Sequence, residues 1–363
     1  MLNGSIFDRL PTLGWKLAQG ATYAEGRFHN TRPIRELGFA GGMRALWRML
    51  TAKSSDATPR APFEVLRLTP ADLAAAEDGS LWRLGHSTLL LKLEGKFWIT
   101  DPVFAQRASP FPFAGPKRFH APPIAREDLP EIEAVILSHD HYDHLDYHSV
   151  LALAPRVKHF LTTLGVGDRL IGWGIPAEKV RQLDWWEHTE VGDLKFVATP
   201  AQHFSGRGFT DHNATLWASW VVITPSLRLF FSGDGGYFEG FREIGERFGP
   251  FDVACIENGA YDRSWPDVHM QPEQTLQAHI DLRARHLLPI HNGTFDLALH
   301  AWTEPFERLA ALAVQKGVAM CTPRIGERVE LADPAPGTTW WRVQAERAMR
   351  RHCFLCRHGE QQG

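Results

Sequence analysis

His139, Asp140, His141, Tyr142, Asp143 and His144 put three imidazoles and two carboxylates within six consecutive residues. The preceding Ala134-Val135-Ile136-Leu137 is branched and apolar, which predicts a buried strand whose chain leaves the core at Ser138. A turn at that point aims His139 and His141 at one metal ion. Asp143 and His144 fall further round the turn or at a helix start, displaced enough to serve a second. Asp140 is predicted to point away, since alternation turns every second side chain outward. Nitrogen and carboxylate ligands suit zinc, with iron and manganese as competitors. The competing reading is a polar surface loop. Charge disfavours it, because five potential ligands this close repel one another or stand idle without an ion.

One cluster cannot close two coordination spheres. Three later residues stand in the same kind of place, just past an apolar run. His203 follows Phe196-Val197-Ala198-Thr199-Pro200, and His291 follows Leu287-Leu288-Pro289-Ile290. Asp234 follows Leu229-Phe230-Phe231-Ser232-Gly233, with Gly235 and Gly236 allowing close backbone approach. Each alone reads more readily as a hydrogen-bonded structural residue than as a ligand. Their shared placement is the argument for reading them together.

With these residues in order, the chain resembles the metallo-β-lactamase fold superfamily. Within it, the chain is similar to bacterial relatives of N-acyl-phosphatidylethanolamine-hydrolysing phospholipase D. The narrower likeness rests on Thr100-Asp101-Pro102-Val103-Phe104, Gly115-Pro116-Lys117-Arg118-Phe119, Leu183-Asp184-Trp185-Trp186-Glu187, Phe231-Ser232-Gly233-Asp234-Gly235-Gly236-Tyr237 and Gly293-Thr294-Phe295, within a similarity spanning about residues 80–325. Gly235 stands where the family pattern has Thr, and Val268 precedes His269 where the animal enzymes have a polar residue.

The resemblance implies an α+β fold, the αββα four-layer sandwich, with two zinc ions per chain. His139, His141 and His203 would hold one ion and Asp143, His144 and His291 the other, with Asp234 bridging. His141 stands where the superfamily's di-iron flavoproteins have Glu, so zinc is favoured over iron. Two such ions about 3.5–4 Å apart acidify a shared water and clamp the oxygens of an in-line phosphoryl displacement. Asp143, Asp234 and His269 are the expected catalytic residues. The two carboxylates orient the attacking oxygen, and His269 stabilises phosphoryl oxygens or assists the leaving alkoxide. From sequence alone, His269 is a histidine in the loop after Trp265-Pro266-Asp267. Asp101 is the leading candidate to fix an imidazole tautomer, with His86 behind it and turn formation as its competing role.

Recurrent short apolar runs are predicted strands at 89–93, 97–100, 135–137, 160–162, 195–198, 218–223, 229–231 and 253–256, with helices at 145–154, 239–248, 272–284 and 303–316. The polar, breaker-rich residues 51–60 read as a linker. The expected division is a basic N-terminal segment and linker (1–62), a catalytic domain (63–332) and a basic C-terminal tail (333–363). A 363-residue chain that is 44% hydrophobic can bury a substantial core. Asp8, Arg9 and Pro11 interrupt any signal peptide, and no run of about 18 apolar residues exists, so the expected location is cytoplasmic or peripheral to a membrane.

Residues 1–60 hold nine Lys/Arg against four Asp/Glu and residues 340–363 five against two, so a net charge of −3 leaves the middle strongly acidic. An acidic body argues against a nucleic-acid groove over the site, whereas basic ends suit an anionic membrane. Leu2, Ile6, Phe7, Leu10, Leu13, Trp15 and Leu17 either enter that interface or pack on their own domain. Cys255 and Cys321 read as buried thiols, and Cys353-x-x-Cys356 is a lone pair in the tail. The expected function is cleavage of N-acyl-phosphatidylethanolamine-like lipids to phosphatidic acid and N-acylethanolamine. A lactonase or other ester hydrolase is the alternative on the same ions, and a non-catalytic metal-holding module the alternative from another class. The resemblance favours a homodimer.

Overall fold

The computed structural model describes residues 20–345 apart from 36, 37, 62 and 209. The N-terminal apolar residues named above and Cys353-x-x-Cys356 lie outside the described residues. A short hairpin, β1 (Thr22–Ala24) and β2 (Arg27–His29), leads to helix α1 (Gly38–Thr51), and α2 (Pro70–Ala75) precedes the first large sheet.

That sheet runs through β3 (Ser80–Gly85), β4 (Thr88–Leu93), β5 (Lys96–Thr100), β6 (Ile132–Ile136), β7 (Val157–Thr163) and β8 (Val180–Leu183), with α3 (Tyr147–Leu153) and α4 (Val166–Gly172) between later strands. The second sheet contains β9 (His188–Val191), β10 (Leu194–Thr199), β11 (Ser219–Ile223), β12 (Arg228–Phe231), β13 (Val253–Glu257), β14 (His286–Ile290) and β15 (Ala319–Met320). Its crossovers carry α5 (Gly240–Phe248), α6 (Pro272–Asp281) and α7 (Glu304–Lys316). β16 (Arg328–Glu330) then returns to pair antiparallel with β3.

Alternation along the strands assigns the layers. Leu89, Leu91 and Leu93 face a core shared with Phe196, Trp220 and Phe231 of the other sheet, while Leu90 turns to a second core with Val150 and Leu170 of α3 and α4. Val197, Val221 and Phe230 point outward onto Ile244, Leu276 and Leu309 of α5, α6 and α7. Both faces of both sheets are therefore covered by apolar packing, each buried Leu or Phe contributing ~1.5–3 kcal/mol. The result is the expected αββα sandwich, which buries its strands on both sides.

The predicted helices form where the capping chemistry allows. Asp146 caps α3 by accepting from the His148 N–H at 3.2 Å. α6 starts at Pro272 behind a Gln271–Gln274 capping box and stops short of 284, because Leu282 caps it and Arg283 turns left-handed at φ 58°.

Residues 52–61 are irregular, yet their backbone is stitched to 299–302: Ser54 N–H donates to Leu299, and the Asp56 carbonyl accepts from Trp302. At the other proposed boundary, Trp341 is buried and its indole donates to Glu307 at 2.6 Å. Among the described residues no helix is long and apolar enough to cross a membrane.

Candidate metal centre

The expected ligands converge at one edge of the sandwich, because strands that run the same way end there. β6 ends at Ile136 before the 138–146 loop, β10 before His203, β12 before Asp234 and β14 immediately before His291. β3 and β5 bring His86 and Asp101 to the same edge. His86, Asp101 and His291 sit at positive φ (54°, 34° and 59°), a backbone region costly for branched or bulky side chains and held here by surrounding structure. The Gly233 turn, φ 57°, admits no side chain: a Cβ there would stand 2.6 Å from that of Ser138. Of the two following glycines, Gly236 is the one that lets backbones close, since its Cβ would meet the Asp267 carbonyl at 2.0 Å. Gly235 has only ordinary neighbours.

The seven expected residues form two groups. His141 Nδ1 lies 2.9 Å from His139 Nε2 and 3.3 Å from His203 Nε2. In the other group, Asp143 Oδ2 lies 3.6 Å from His144 Nε2 and 3.3 Å from His291 Nε2. Asp234 stands between them. Its Oδ1 is 3.1 Å from His144 Nε2, and its Oδ2 is 2.9 Å from His291, 3.9 Å from His203 and 4.0 Å from His139.

Supporting contacts are equally specific. Asp101 Oδ2 is 2.7 Å from His144 Nδ1 and accepts from Ser138 Oγ at 2.6 Å, as expected of the residue that fixes an imidazole tautomer. His86 is buried with Nε2 2.9 Å from Asp143 Oδ2. Asp140 points away: it pairs with Arg169 at 2.9 Å and accepts from the Gly206 N–H at 2.8 Å. His269 lines the cavity above, with Nδ1 3.1 Å from Glu257 Oε2. Glu257 is a site residue beyond the expected set, signalled in the sequence only as a carboxylate closing the apolar Val253-Ala254-Cys255-Ile256 run. Asn30 is another. Its amide donates to the His203 carbonyl at 2.7 Å and accepts from the His203 N–H at 3.0 Å.

Charge is divided between the groups. Burial pushes His139 and His203 well below the ordinary histidine range, and neighbouring imidazoles push the same way. Burial acts likewise on His144 and His291, but Asp234 and Asp143 outweigh it, raising His144 well above its usual value and His291 to about 10. The same attraction overcomes burial at Asp143 and Asp234 and holds both carboxyls well below their usual range.

Metal chemistry fits these residues. Within each of the sets His139/His141/His203, His139/His144/Asp234 and His86/Asp143/His144/His291, the donor atoms lie within 4.8 Å of one another. Ligands bound tetrahedrally to zinc at about 2.0–2.1 Å stand about 3.4 Å apart, and the observed spacings bracket that value. His144 Nε2 and Asp234 Oδ1 are moreover buried 3.1 Å from each other without meeting hydrogen-bond geometry, as two donors to one ion would stand.

A family model described as a beta-lactamase superfamily domain matches residues 98–292, which contain all seven ligand candidates. The chain belongs to the metallo-β-lactamase superfamily and to the metal-dependent hydrolases within it. A relative from Mycobacterium tuberculosis is 41% identical over 90% of this chain and 88% of its own. The N-acyl-phosphatidylethanolamine-hydrolyzing phospholipase D 1 of Caenorhabditis elegans is 35% identical over 89% of this chain and 99% of its own. A solved metallo hydrolase of the archaeon Ignicoccus hospitalis aligns over 69% of this chain and 97% of its own, with a TM-score of 0.52 at 21% identity, and shares the fold.

The centre opens into a cavity of ≈ 570 Å³. His141, Asp143, Asp234, His269 and His291 form its polar side. Ile34, Phe204, Ala260, Trp265, Val268 and Leu297 supply apolar walls, and Arg35, His212 and Asp267 add charged or titratable groups. Arg35 is held to the cavity rim by its N–H on Asp267 at 2.9 Å, and α1 by Arg48 on Asp262 at 2.7 Å.

Proposed function

We propose that the protein is a di-zinc phosphodiesterase of phospholipase D type, cleaving N-acyl-phosphatidylethanolamine-like lipids to phosphatidic acid and N-acylethanolamine. One observation carries this reading: the double ligand cluster opens into a cavity with apolar walls at Ile34, Phe204, Ala260, Trp265, Val268 and Leu297, alongside the polar Arg35, His212 and Asp267. Such walls return little to a fully polar substrate, whereas acyl chains gain from every apolar contact. The C. elegans relative, whose name specifies that lipid, supports the same substrate class.

In this assignment His139, His141 and His203 hold one zinc ion, Asp143, His144 and His291 hold the other, and Asp234 reaches both. When bound, the pair supplies Lewis acidity, polarising phosphoryl oxygens and making water nucleophilic near neutral pH. Asp143 and Asp234 accept hydrogen bonds from the attacking water and orient its lone pair toward phosphorus. As the new P–O bond forms, the opposite P–O bond to the N-acylethanolamine oxygen breaks in line. Glu257 holds Nδ1 of His269, leaving Nε2 to deliver a proton to that oxygen, and the proton released by the attacking water replaces the one His269 gives up.

The deciding experiment counts zinc in the purified protein and compares turnover of N-acyl-phosphatidylethanolamine, an aryl phosphodiester, a lactone and a β-lactam. Two zinc ions per chain, phosphatidic acid among the products and loss of turnover in Asp143→Asn are expected. Hydrolysis of the lactone or β-lactam alone would end the phosphodiesterase reading.

A further inference from the structure

We propose that the 105–117 loop is a lipid-inserting prong that seats this edge of the protein on an anionic membrane surface. The proposal rests on the reading of the substrate as a lipid phosphodiester. Its first observation is at the loop tip, where Phe111 is 54% and Phe113 78% exposed, their ring centroids 5.6 Å apart. Single exposed apolar residues are ordinary, but here two neighbouring phenylalanines are held out together as one apolar tip. Pro110 and Pro112 flank Phe111 and fix φ, so little conformational freedom remains to be lost on insertion.

The second observation is the charge behind the tip. Arg107 and Lys117 face each other across the loop base in an isolated bridge, and Arg107 donates to the Gly115 carbonyl at 2.5 Å. Arg67 joins Arg107 in a cleft of ≈ 670 Å³ under the loop. Among the described residues neither arginine, nor Lys117, forms an ion pair, whereas the cleft's acids are both engaged. Glu127 pairs with Arg126 at 2.7 Å, and Asp146 accepts from Ala105 and His148 N–H groups at 3.1 and 3.2 Å. Aromatic rings ahead of unpaired cations is the order a bilayer surface demands, with hydrocarbon beneath a layer of phosphates. A second copy of this chain is a poorer occupant, because a two-fold contact would bring the same cations together.

The third observation is position. The loop leaves β5, which runs parallel to β6, at the edge where the metal ligands gather. Its base packs on the cavity's own wall segment: the Phe119 N–H donates to the Thr294 carbonyl at 2.8 Å, Arg118 lies 4.8 Å from the Phe295 ring centre, and Leu297 lines the cavity. An inserted prong therefore brings that edge against the surface holding the substrate.

The test is co-sedimentation of the full chain with vesicles of phosphatidylcholine alone or with roughly a third phosphatidylserine. Phe111→Ser/Phe113→Ser, Arg107→Gln/Lys117→Gln and Trp47→Ser, on the exposed face of α1, are compared with wild type. Wild type should sediment with the anionic vesicles, with about tenfold or greater weakening in the double phenylalanine variant and loss of salt sensitivity in the charge variant. All variants should hydrolyse a soluble aryl phosphodiester normally, which separates docking from chemistry. Failure of wild type to hydrolyse any phosphodiester would sink the functional reading on its own. Undiminished sedimentation of the double phenylalanine variant, or loss confined to Trp47→Ser, overturns the prong. So does a change in that variant's oligomeric state without a change in sedimentation.

Discussion

His139 and His203 come no closer to a carboxylate than 3.9 Å, whereas His144 lies 2.7 Å from Asp101 and His291 lies 2.9 Å from Asp234. All four rings are buried, so the cost of desolvating an imidazolium acts on each of them. Their proton affinities nonetheless diverge. Burial prevails at His139 and His203, and carboxylate charge prevails at His144 and His291. The first group is fixed by neutral partners: the Val268 carbonyl at 3.0 Å from His203 Nδ1, Asn30 on the His203 backbone, and Ser138 Oγ at 2.9 Å from His139 Nδ1. Buried anions fix the second. Nearby charge, rather than depth, sets the character of each half, and in the proposed assignment the second half would hold its ion among closer carboxylates than the first.

Asp234 is where that contrast is most easily broken, since its two oxygens face both groups. Asp234→Asn keeps the shape and removes the shared charge. The expected outcome is loss of at least one zinc per chain and a fall in kcat/KM on a soluble phosphodiester on the order of 10³-fold. Metal analysis beside steady-state kinetics measures both. Retention of two ions with near-normal turnover would show that the halves are independent and that the bridging role is wrong.

Asp101 sharpens the contrast within one half. It is buried, touches His144 directly and reaches His139 only through Ser138. Asp101→Asn should weaken zinc at the second half by about 10–100-fold and change the first half far less. A stepwise chelator titration would then lose one ion much earlier than the other. Equal weakening of both would mean that Ser138 transmits the charge and that the halves act as one site.

The ligand positions were legible because each follows an apolar strand, and a strand end is a local pattern. β6, β10, β12 and β14 announce His139–His144, His203, Asp234 and His291 in turn. Partners contributed from far along the chain left no such trace. Asn30 reaches His203 across 173 positions, and nothing in its neighbours marks it. β3 is absent from the predicted strands because Arg83 interrupts its apolar run. The guanidinium is buried there by donating to the Asn292 carbonyl at 2.5 Å, a contact 209 positions away, with its Nη2 also against the Asn292 side chain. Pro289 argues locally against a central strand. It is accommodated because β15 pairs only with His286 and Leu287, leaving Pro289 beyond the ladder on that side. Periodicity thus carried the layers and the edge, and long-range satisfaction of buried polar groups supplied the rest.

Asn30 gives the smallest expected effect and the finest test. It grips the backbone of His203 with a donor and an acceptor and takes a third hydrogen bond from the Trp217 indole at 3.2 Å, but it adds no charge. Each lost hydrogen bond costs about 0.5–1.5 kcal/mol, and part of that is recovered when water reaches the exposed groups. Asn30→Ala should therefore weaken zinc at the first half only about three- to tenfold, with a modest loss of thermal stability. The second half should be unchanged in the same chelator titration. The ordering against Asp101→Asn is the decisive quantity. If removing a neutral backbone clamp cost more metal affinity than removing a buried anion, then fixation of the ligand backbone would govern the cluster, and the electrostatic contrast between its halves would be a consequence of the fold with no part in holding the ions.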